Sequence, residues 1–307
     1  MLDKIFGKDR KAEQQAQEKQ KAKEIFDLVR KLTAEIHAEH HRPAVRFTLE
    51  LGEPGIFESK TGGTPYLPRD MAWPLDDRGF GMGLLAQVDC AGLAGLPDFP
   101  TTGLLQFFTA WDEVFGADFD DPVTQKCFRV LYHETVDRSV TAEEVEAKKA
   151  AAPMPKGDLE FCTPLDPCRI ILKAPAEQGM NGYDPGFEPM FVERWNRARP
   201  DLPIKRVWNL YSLVPDRLGD YTATDQPGWN APFHQLGGYP YFTQQDPRPG
   251  KYDDLDVLLF QLDSDYDDQK KKYVVLWGDS GVANFFISRE ALRRRDFSRV
   301  MYNWDCC

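Results

Sequence analysis

The chain of 307 residues predicts an α+β protein: a β-rich domain built from an internally duplicated half and preceded by a long N-terminal helix. Three observations carry that prediction. Four short strings occur twice in the same order, about 175 residues apart. Beyond Pro43 the apolar runs are short, rich in β-branched and aromatic residues, and broken by Gly, Pro and Asp. Before Pro43 the composition is dominated by Lys, Glu, Gln and Ala, which favour helix.

Taken in order, residues 8–24 show no apolar face, whereas Ile25, Leu28, Val29, Leu32 and Ile36 recur at helical spacing. A helix over 10–40 is therefore expected to be solvated at its start, docked on the domain at its end and closed by Pro43. Val45 to Glu50 alternates as a half-buried strand does. Further strands are expected at 83–88, 103–109, 127–133, 206–214, 256–262, 273–277, 282–287 and 299–302. Thr141-Ala142-Glu143-Glu144 is a capping box, opening a helix that Pro153 ends. A second helix fits 188–199 and a third begins at Ser288. Residues 150–187 and 215–232 are dense in Pro and Gly and read as long irregular connections. The expected plan is a helical arm over 1–42, then one domain over 43–307 with repeats at about 45–135 and 204–305.

The first copy of the repeat runs Gly62-Gly63-Thr64-Pro65-Tyr66, Leu84-Leu85-Ala86-Gln87-Val88-Asp89, Gly103-Leu104-Leu105-Gln106-Phe107-Phe108 and Arg129-Val130-Leu131-Tyr132. The second runs Gly237-Gly238-Tyr239-Pro240-Tyr241, Leu258-Leu259-Phe260-Gln261-Leu262-Asp263, Gly281-Val282-Ala283-Asn284-Phe285-Phe286 and Arg299-Val300-Met301-Tyr302. The period is far too long for a solenoid unit, which points to a duplicated half-domain.

Composition bounds the function. The chain carries 38 Lys and Arg against 49 Asp and Glu, a net charge of −11, and the N-terminal helix is the basic part. An acidic body argues against nucleic acid or an anionic membrane as partner, because phosphate binding needs a basic face. The six cysteines form no Cys-x-x-Cys pair and none has a His at zinc-ligand spacing. Adjacent Cys306 and Cys307 read as free terminal thiols. No run has signal-peptide or membrane-spanning character, so a reducing cytoplasm is the expected compartment.

Three strings taken together carry a family resemblance: Gly62-Gly63-Thr64-Pro65-Tyr66 leading to Trp73-Pro74; His234-Gln235-Leu236-Gly237-Gly238-Tyr239-Pro240; and Trp277-Gly278-Asp279-Ser280-Gly281 followed by Asn284-Phe285-Phe286. With the two Leu-Leu-x-Gln-x-Asp strings, the chain over about 45–305 resembles the YwqG-like family, a bacterial group of domains of unknown function. The resemblance implies an α+β fold duplicated around an extended sheet, and no established activity, substrate or cofactor. Members are met near bacterial polymorphic-toxin loci, which implies by analogy toxin neutralisation or another protein-binding role. The N-terminal helix lies outside the family pattern.

The residues that could carry chemistry are few. Gly278-Asp279-Ser280-Gly281 matches the string around a chymotrypsin-type nucleophile, but only His133 and His234 lie in the body to serve it, so the string reads as a tight turn between strands. Asp263, Asp265, Asp267 and Asp268 offer four carboxylates suited to a hard cation. An EF-hand is excluded, because Asp268 stands where Gly is required and Val274 where Glu is required. The bland alternative is a solvated hairpin balanced by Lys270, Lys271 and Lys272. Gln87 and Gln261 each sit inside an apolar strand at the same place in the repeat, and holding backbone of the two Gly-Gly loops is their expected role. Those glycines are expected to supply positive φ rather than a phosphate cradle. His37, His40 and His41 suit a solvated helix end more than a metal site.

The leading expectation is a non-catalytic cytoplasmic module that binds another protein, with no cofactor and no metal. His234, Gln87, Gln261, Asp263, Asp265, Trp277 and Asp279 are the candidate binding residues. The rival is a small-molecule or cation-dependent enzyme sited between the repeats, using Asp263, Asp265 and Asp279 with His234. A third possibility is a purely structural protein assembled through its helical arm. Oligomeric state is not legible.

Overall fold

The computed structural model of the chain describes residues 2–156, 165–213 and 233–306, with side chains described from residue 17 onward except at 18 and 211. The expected loop at 215–232, together with Trp229, Cys162 and Cys307, lies outside the described residues. The chain divides into two compact units: Met1–His41 with Gly179–Asn230, and Arg42–Gln178 with Ala231–Cys307. Among the described residues no helix is long and apolar enough to cross a membrane.

In the smaller unit, helix α1 spans Leu2–Glu39. The apolar stripe is real: Ile25, Val29, Leu32 and Ile36 are buried and Leu28 is half-buried. Its packing partner is an amphipathic helix further along the chain, at Phe187–Ala198, which turns Phe187, Phe191 and Trp195 inward. Arg194 of that helix forks onto Glu39 at 2.6 Å. The segment expected as a strand over 206–214 is instead a 3-10 turn at Val207–Ser212. Asn209 decides this, because its Oδ1 accepts from the backbone N–H of Lys205 and Arg206 and folds the chain back on itself.

The larger unit is a β-rich domain formed by one nearly closed antiparallel sheet. Its strands are β1 (His41–Leu51), β2 (Lys60–Thr61), β3 (Gly83–Asp89), β4 (Leu104–Thr109), β5 (Phe128–His133), β6 (Cys168–Leu172) and β7 (Ala176–Gly179). They continue as β8 (Gln235–Gly237), β9 (Val257–Asp263), β12 (Val282–Ile287) and β13 (Met301–Asp305), while β10 (Asp265–Asp267) and β11 (Lys272–Val275) form a separate hairpin. The sheet order is β13-β12-β9-β8-β1-β6-β2-β3-β4-β5, with β7 also beside β1. Strand β1 joins the two groups: Ala44 to Arg46 pair with β8 and Phe47 to Leu51 pair with β6. Helix α2 (Ala142–Ala151) begins with the expected reciprocal capping box of Thr141 and Glu144. The helix at Phe187–Ala198 is α3, and α4 (Arg289–Arg293) is capped by Ser288 as expected.

Several expectations need correction. The helix ends before Pro43, which lies inside β1. The Pro- and Gly-dense stretch 150–187 is not wholly irregular, since it supplies β6 and β7. Strand β13 begins later than the apolar run at 299–302 and extends to Asp305.

Both Leu-Leu-x-Gln strings carry a β-bulge at the same step. Leu84 and Ala86 pair with consecutive residues of β4, and Leu258 and Phe260 with consecutive residues of β12, so Leu85 and Leu259 are the extra residues. The bulge lets neighbours share a face, and Leu85 with Ala86, like Leu259 with Phe260, enters one core. There Phe107 of β4 stacks on Phe260 of β9 at 4.7 Å and meets Phe285 of β12 at 4.8 Å. Phe128 of β5 and Tyr302 of β13, the two ends of the strand order, lie 5.3 Å apart.

Candidate functional site

The bulge also sets where the two glutamines point. Gln87 is fully buried and uses all four of its hydrogen-bonding valences. Its Oε1 accepts from Tyr66 N at 2.9 Å and Gln106 Nε2 at 2.8 Å, and its Nε2 donates to Ile56 O at 2.8 Å and Glu58 O at 2.9 Å. Gln261 does the same work beside the second Gly-Gly turn, accepting from Tyr241 N at 2.7 Å and donating to Phe233 O at 2.5 Å. The cross-strand neighbours follow suit: Gln106 donates to Tyr66 O at 2.6 Å and Asn284 to Tyr241 O at 2.9 Å. Each Gly-Gly-x-Pro-Tyr turn is thus clamped by two buried amides. The turns run through Gly62 (φ 58°) and Gly63 (φ 68°), and through Gly237 (φ 68°) and Gly238 (φ 72°), the left-handed region that glycine adopts without strain.

Two residues outside the candidate binding set complete these clamps. Lys60 is wholly buried and donates through Nζ to Thr64 O at 2.7 Å and Pro54 O at 3.0 Å. Desolvation brings its ammonium down to about 8. Its counterpart Gln235 donates to Tyr239 O at 2.7 Å, the carbonyl equivalent to that of Thr64. The available signal was a lysine two residues ahead of one Gly-Gly pair where the other pair has glutamine. His133 is the second. Gln106 spends its Nε2 as a donor, so its Oε1 must accept, and His133 Nε2 at 2.9 Å carries the proton. Burial lowers that imidazole to about 4, and it stays neutral at pH 7.

The His133 shift has a signed consequence. The unfolded ring titrates near 6.5 and the folded one near 4, so the unfolded chain binds the extra proton in that window. Stability is complete above about 6.5 and falls as pH drops, losing on the order of 3 kcal/mol by pH 4. Urea unfolding of wild type and His133→Gln at pH 7 and pH 4 checks this, the variant being expected to lose much less.

Of the other candidates, His234, Asp263 and Asp265 come together. His234 is buried, stacked on Phe47 at 5.1 Å, and its Nδ1 accepts from Asp263 N at 3.0 Å. The proton therefore sits on Nε2, which faces Asp265 Oδ2 at 3.3 Å. Both ring nitrogens are engaged, which leaves this imidazole without a free position to act as a base. Asp263 accepts from Phe233 N at 2.8 Å and Ser264 N at 2.9 Å, with its carboxyl pushed up by burial.

The acidic string does not converge. Asp267 closes the β10–β11 turn by accepting from Gln269 N and Lys270 N, and Asp268 is exposed beside Lys271. Among the described residues no group of three or more His, Cys, Asp or Glu is arranged to hold a metal ion. Asp279 is exposed in a turn closed by Gly281 N to Trp277 O at 2.7 Å, through Gly278 and Ser280 at positive φ. Ser280 Oγ meets Tyr273 O–H at 3.1 Å. Trp277 is buried between Phe115 and Trp304, and its backbone N–H donates to Ser264 Oγ.

Two features of the larger unit are candidate contacts for other molecules. One is the β10–β11 hairpin, where Tyr266 and Tyr273 pack edge to face at 5.1 Å while each stays more than 40% exposed, beside exposed Leu276. The other is a cavity of about 220 Å³ against the first Gly-Gly turn, walled by Trp73 and Trp111 with Lys149 at its side.

Comparison with curated proteins finds no match. A family model described as a domain of unknown function, DUF1963, matches residues 59–306, which takes in both Gly-Gly turns, both clamped amide pairs and the hairpin. The chain belongs to the DUF1963 family.

Proposed function

We propose that this protein is a non-catalytic, cytoplasmic protein-binding module that meets its partner through the aromatic face of the β10–β11 hairpin. The observation that carries the proposal is the contrast between spent and exposed groups. His234, Asp263, Gln87 and Gln261 are consumed in internal hydrogen bonds, whereas Tyr266, Tyr273 and Leu276 stand together in solvent. Tyrosines held edge to face offer a large, preorganised contact area at small entropic cost. The net charge of −11 favours a partner with a basic surface. Buried Cys90 and Cys168 are free thiols, in keeping with a reducing compartment.

Within the DUF1963 family, the finer YwqG-like identity and an ancestral duplication form part of the same proposal. The matched hydrogen bonds of Gln87 with Gln261, Gln106 with Asn284 and Lys60 with Gln235 support the duplication. Toxin neutralisation is the role this reading favours, on family analogy.

The test uses the full chain and a Tyr266→Ser/Tyr273→Ser variant as parallel baits against lysate of a bacterium that carries the family. A protein held by the first and lost by the second, with the thermal midpoint unchanged, supports the proposal. Capture indifferent to the double substitution overturns the hairpin as the surface. A saturable rise in midpoint with Ca²⁺, Mg²⁺ or Zn²⁺, reversed by EDTA, overturns the non-catalytic reading in favour of a cation-dependent site.

A further inference from the structure

The two Gly-Gly turns each border a cavity, and the two cavities use corresponding positions of the repeat. Gly62, Gly63, Gly83, Leu84 and Trp111 line the first. Gly237, Gly238, Val257, Leu258 and Arg289, which occupy the matching places, line the second. Yet the first holds about 220 Å³ and the second about 60 Å³. Matching backbone with a fourfold difference in space means that side chains made the difference.

Two substitutions and one difference in covering residues account for it. Gly83 stands where the second copy has Val257, and a Cβ on Gly83 would come within 3.0 Å of the Trp111 ring. The missing side chain is what lets that indole lie against the strand. Trp111 itself stands where the second copy has Arg289, which is tied to Asp98 at 3.1 Å and Asp256 at 3.5 Å. Finally, Leu96 and Phe99 fill the second cavity, while Leu165 and Pro167 cover the first from one side. Trp73 also lines the first cavity, fixed by its Nε1 donating to Met82 O at 2.8 Å.

The charge in the first cavity is as distinctive as its size. Among its described lining residues Lys149 is the one that is charged. Its Nζ lies 5.9 Å from the Trp73 ring centroid, and no carboxylate is within ion-pair distance of it among the described residues. The neighbouring Lys148 is different, because its Nζ donates to Pro68, Arg69 and Met71 carbonyls and is spent on structure. The nearest acid along α2, Glu146, accepts from Thr64 Oγ1. An ammonium with no carboxylate at ion-pair distance among the described residues, beside two indoles that line one preformed space, suits a flat apolar body ending in an anion.

We infer that this cavity is a binding site for a small aromatic carboxylate, with the ring between Trp73 and Trp111 and the carboxylate on Lys149. Size sets the class: an apolar cavity of about 150 Å³ accepts benzene, so about 220 Å³ admits one ring with a short side chain. The site is separate from the hairpin surface proposed above, and either can fail without the other.

The experiment titrates 3-phenylpropanoate into the full chain by isothermal calorimetry, with 3-phenylpropan-1-ol as the neutral isostere. Saturable binding of the acid is expected, at least tenfold weaker for the alcohol. Lys149→Met is expected to weaken the acid tenfold or more and leave the alcohol unchanged. Gly83→Val, which copies Val257, is expected to abolish binding of both. Equal affinity for acid and alcohol, or no loss in Lys149→Met, overturns the assignment of the anion to Lys149. Absence of saturable binding at 10-millimolar acid, on the order of the weakest useful affinity, overturns the site. Should Gly83→Val fail to fold, Trp111→Ala, on the cavity wall, takes its place and is expected to weaken both probes; unchanged affinity there overturns the cavity as their location.

Discussion

Gln87→Leu is expected to lower the unfolding free energy by at least about 3 kcal/mol, the largest effect of any single polar substitution in the domain. The replacement strands Tyr66 N–H, one of the two N–H groups of Gln106 Nε2, Ile56 O and Glu58 O at once, in a place where Gln87 itself has no solvent exposure. An unsatisfied buried group costs about 1–3 kcal/mol, and the loss is not repaid by a leucine of similar volume. Urea unfolding followed by far-ultraviolet circular dichroism measures it, with the denaturant slope expected to stay constant. A change below about 1 kcal/mol would mean that water takes over the amide's bonds, and the clamp would lose its structural importance.

Trp277→Ala is expected to cost about 3–5 kcal/mol, the range for emptying a large buried aromatic site. Trp277 has no exposed surface and meets Phe115 at 5.5 Å and Trp304 at 6.0 Å, so the vacated volume has rigid rings on two sides and collapses poorly. Its Nε1 is buried without a partner among the described residues. Trp277→Phe removes that orphaned donor and is therefore expected to cost clearly less than Trp277→Ala. Thermal and urea unfolding of the two variants together decide the point. Equal losses would show that the indole N–H has a partner after all, and a loss under about 1 kcal/mol for alanine would return Trp277 to the list of surface contacts.

Much of the β framework was legible because it is written in local terms. Strands β3, β4, β5, β9 and β12 fall where alternation and aromatic content place them, and the Thr141 capping box and the Ser288 cap announce their helices. The role of Gln87 and Gln261 was legible for a different reason. A polar amide in the middle of an apolar strand has to find partners, and the two Gly-Gly turns, each requiring positive φ, were the segments in need of holding.

Other parts left no local trace. Strands β2 and β8 are two and three residues long, too short for any period, and exist because β3, β6, β9 and β1 offer them edges. Strands β6 and β7 hide in a segment rich in Pro and Gly, where pairing with β1 overrides composition. At 207–212 the apolar spacing suggested a strand, and one Asn side chain turned the backbone the other way. Nothing local marks Lys60 as buried, yet it is a clamp, because two carbonyls take the place of water.

The sequence by itself determined the longer strands, the capped helices, the paired strings and the buried amides, since each is a matter of period, turn chemistry or hydrogen-bond demand within a few residues. Only the tertiary structure decided what the chemically suggestive residues do. Asp263, Asp265, Asp267 and Asp268 are adjacent in the chain but point to separate tasks, because a bulged hairpin sends successive carboxylates to a backbone cap, an imidazole, a turn and solvent. Conversely, Gly83, Trp111, Trp73 and Lys149 are scattered along the chain from residue 73 to residue 149 and converge on one cavity, because strands β3 and β4 and helix α2 bring them there. Proximity in sequence reports local backbone geometry, whereas a binding site depends on side-chain volume and charge in three dimensions, and those are set by packing.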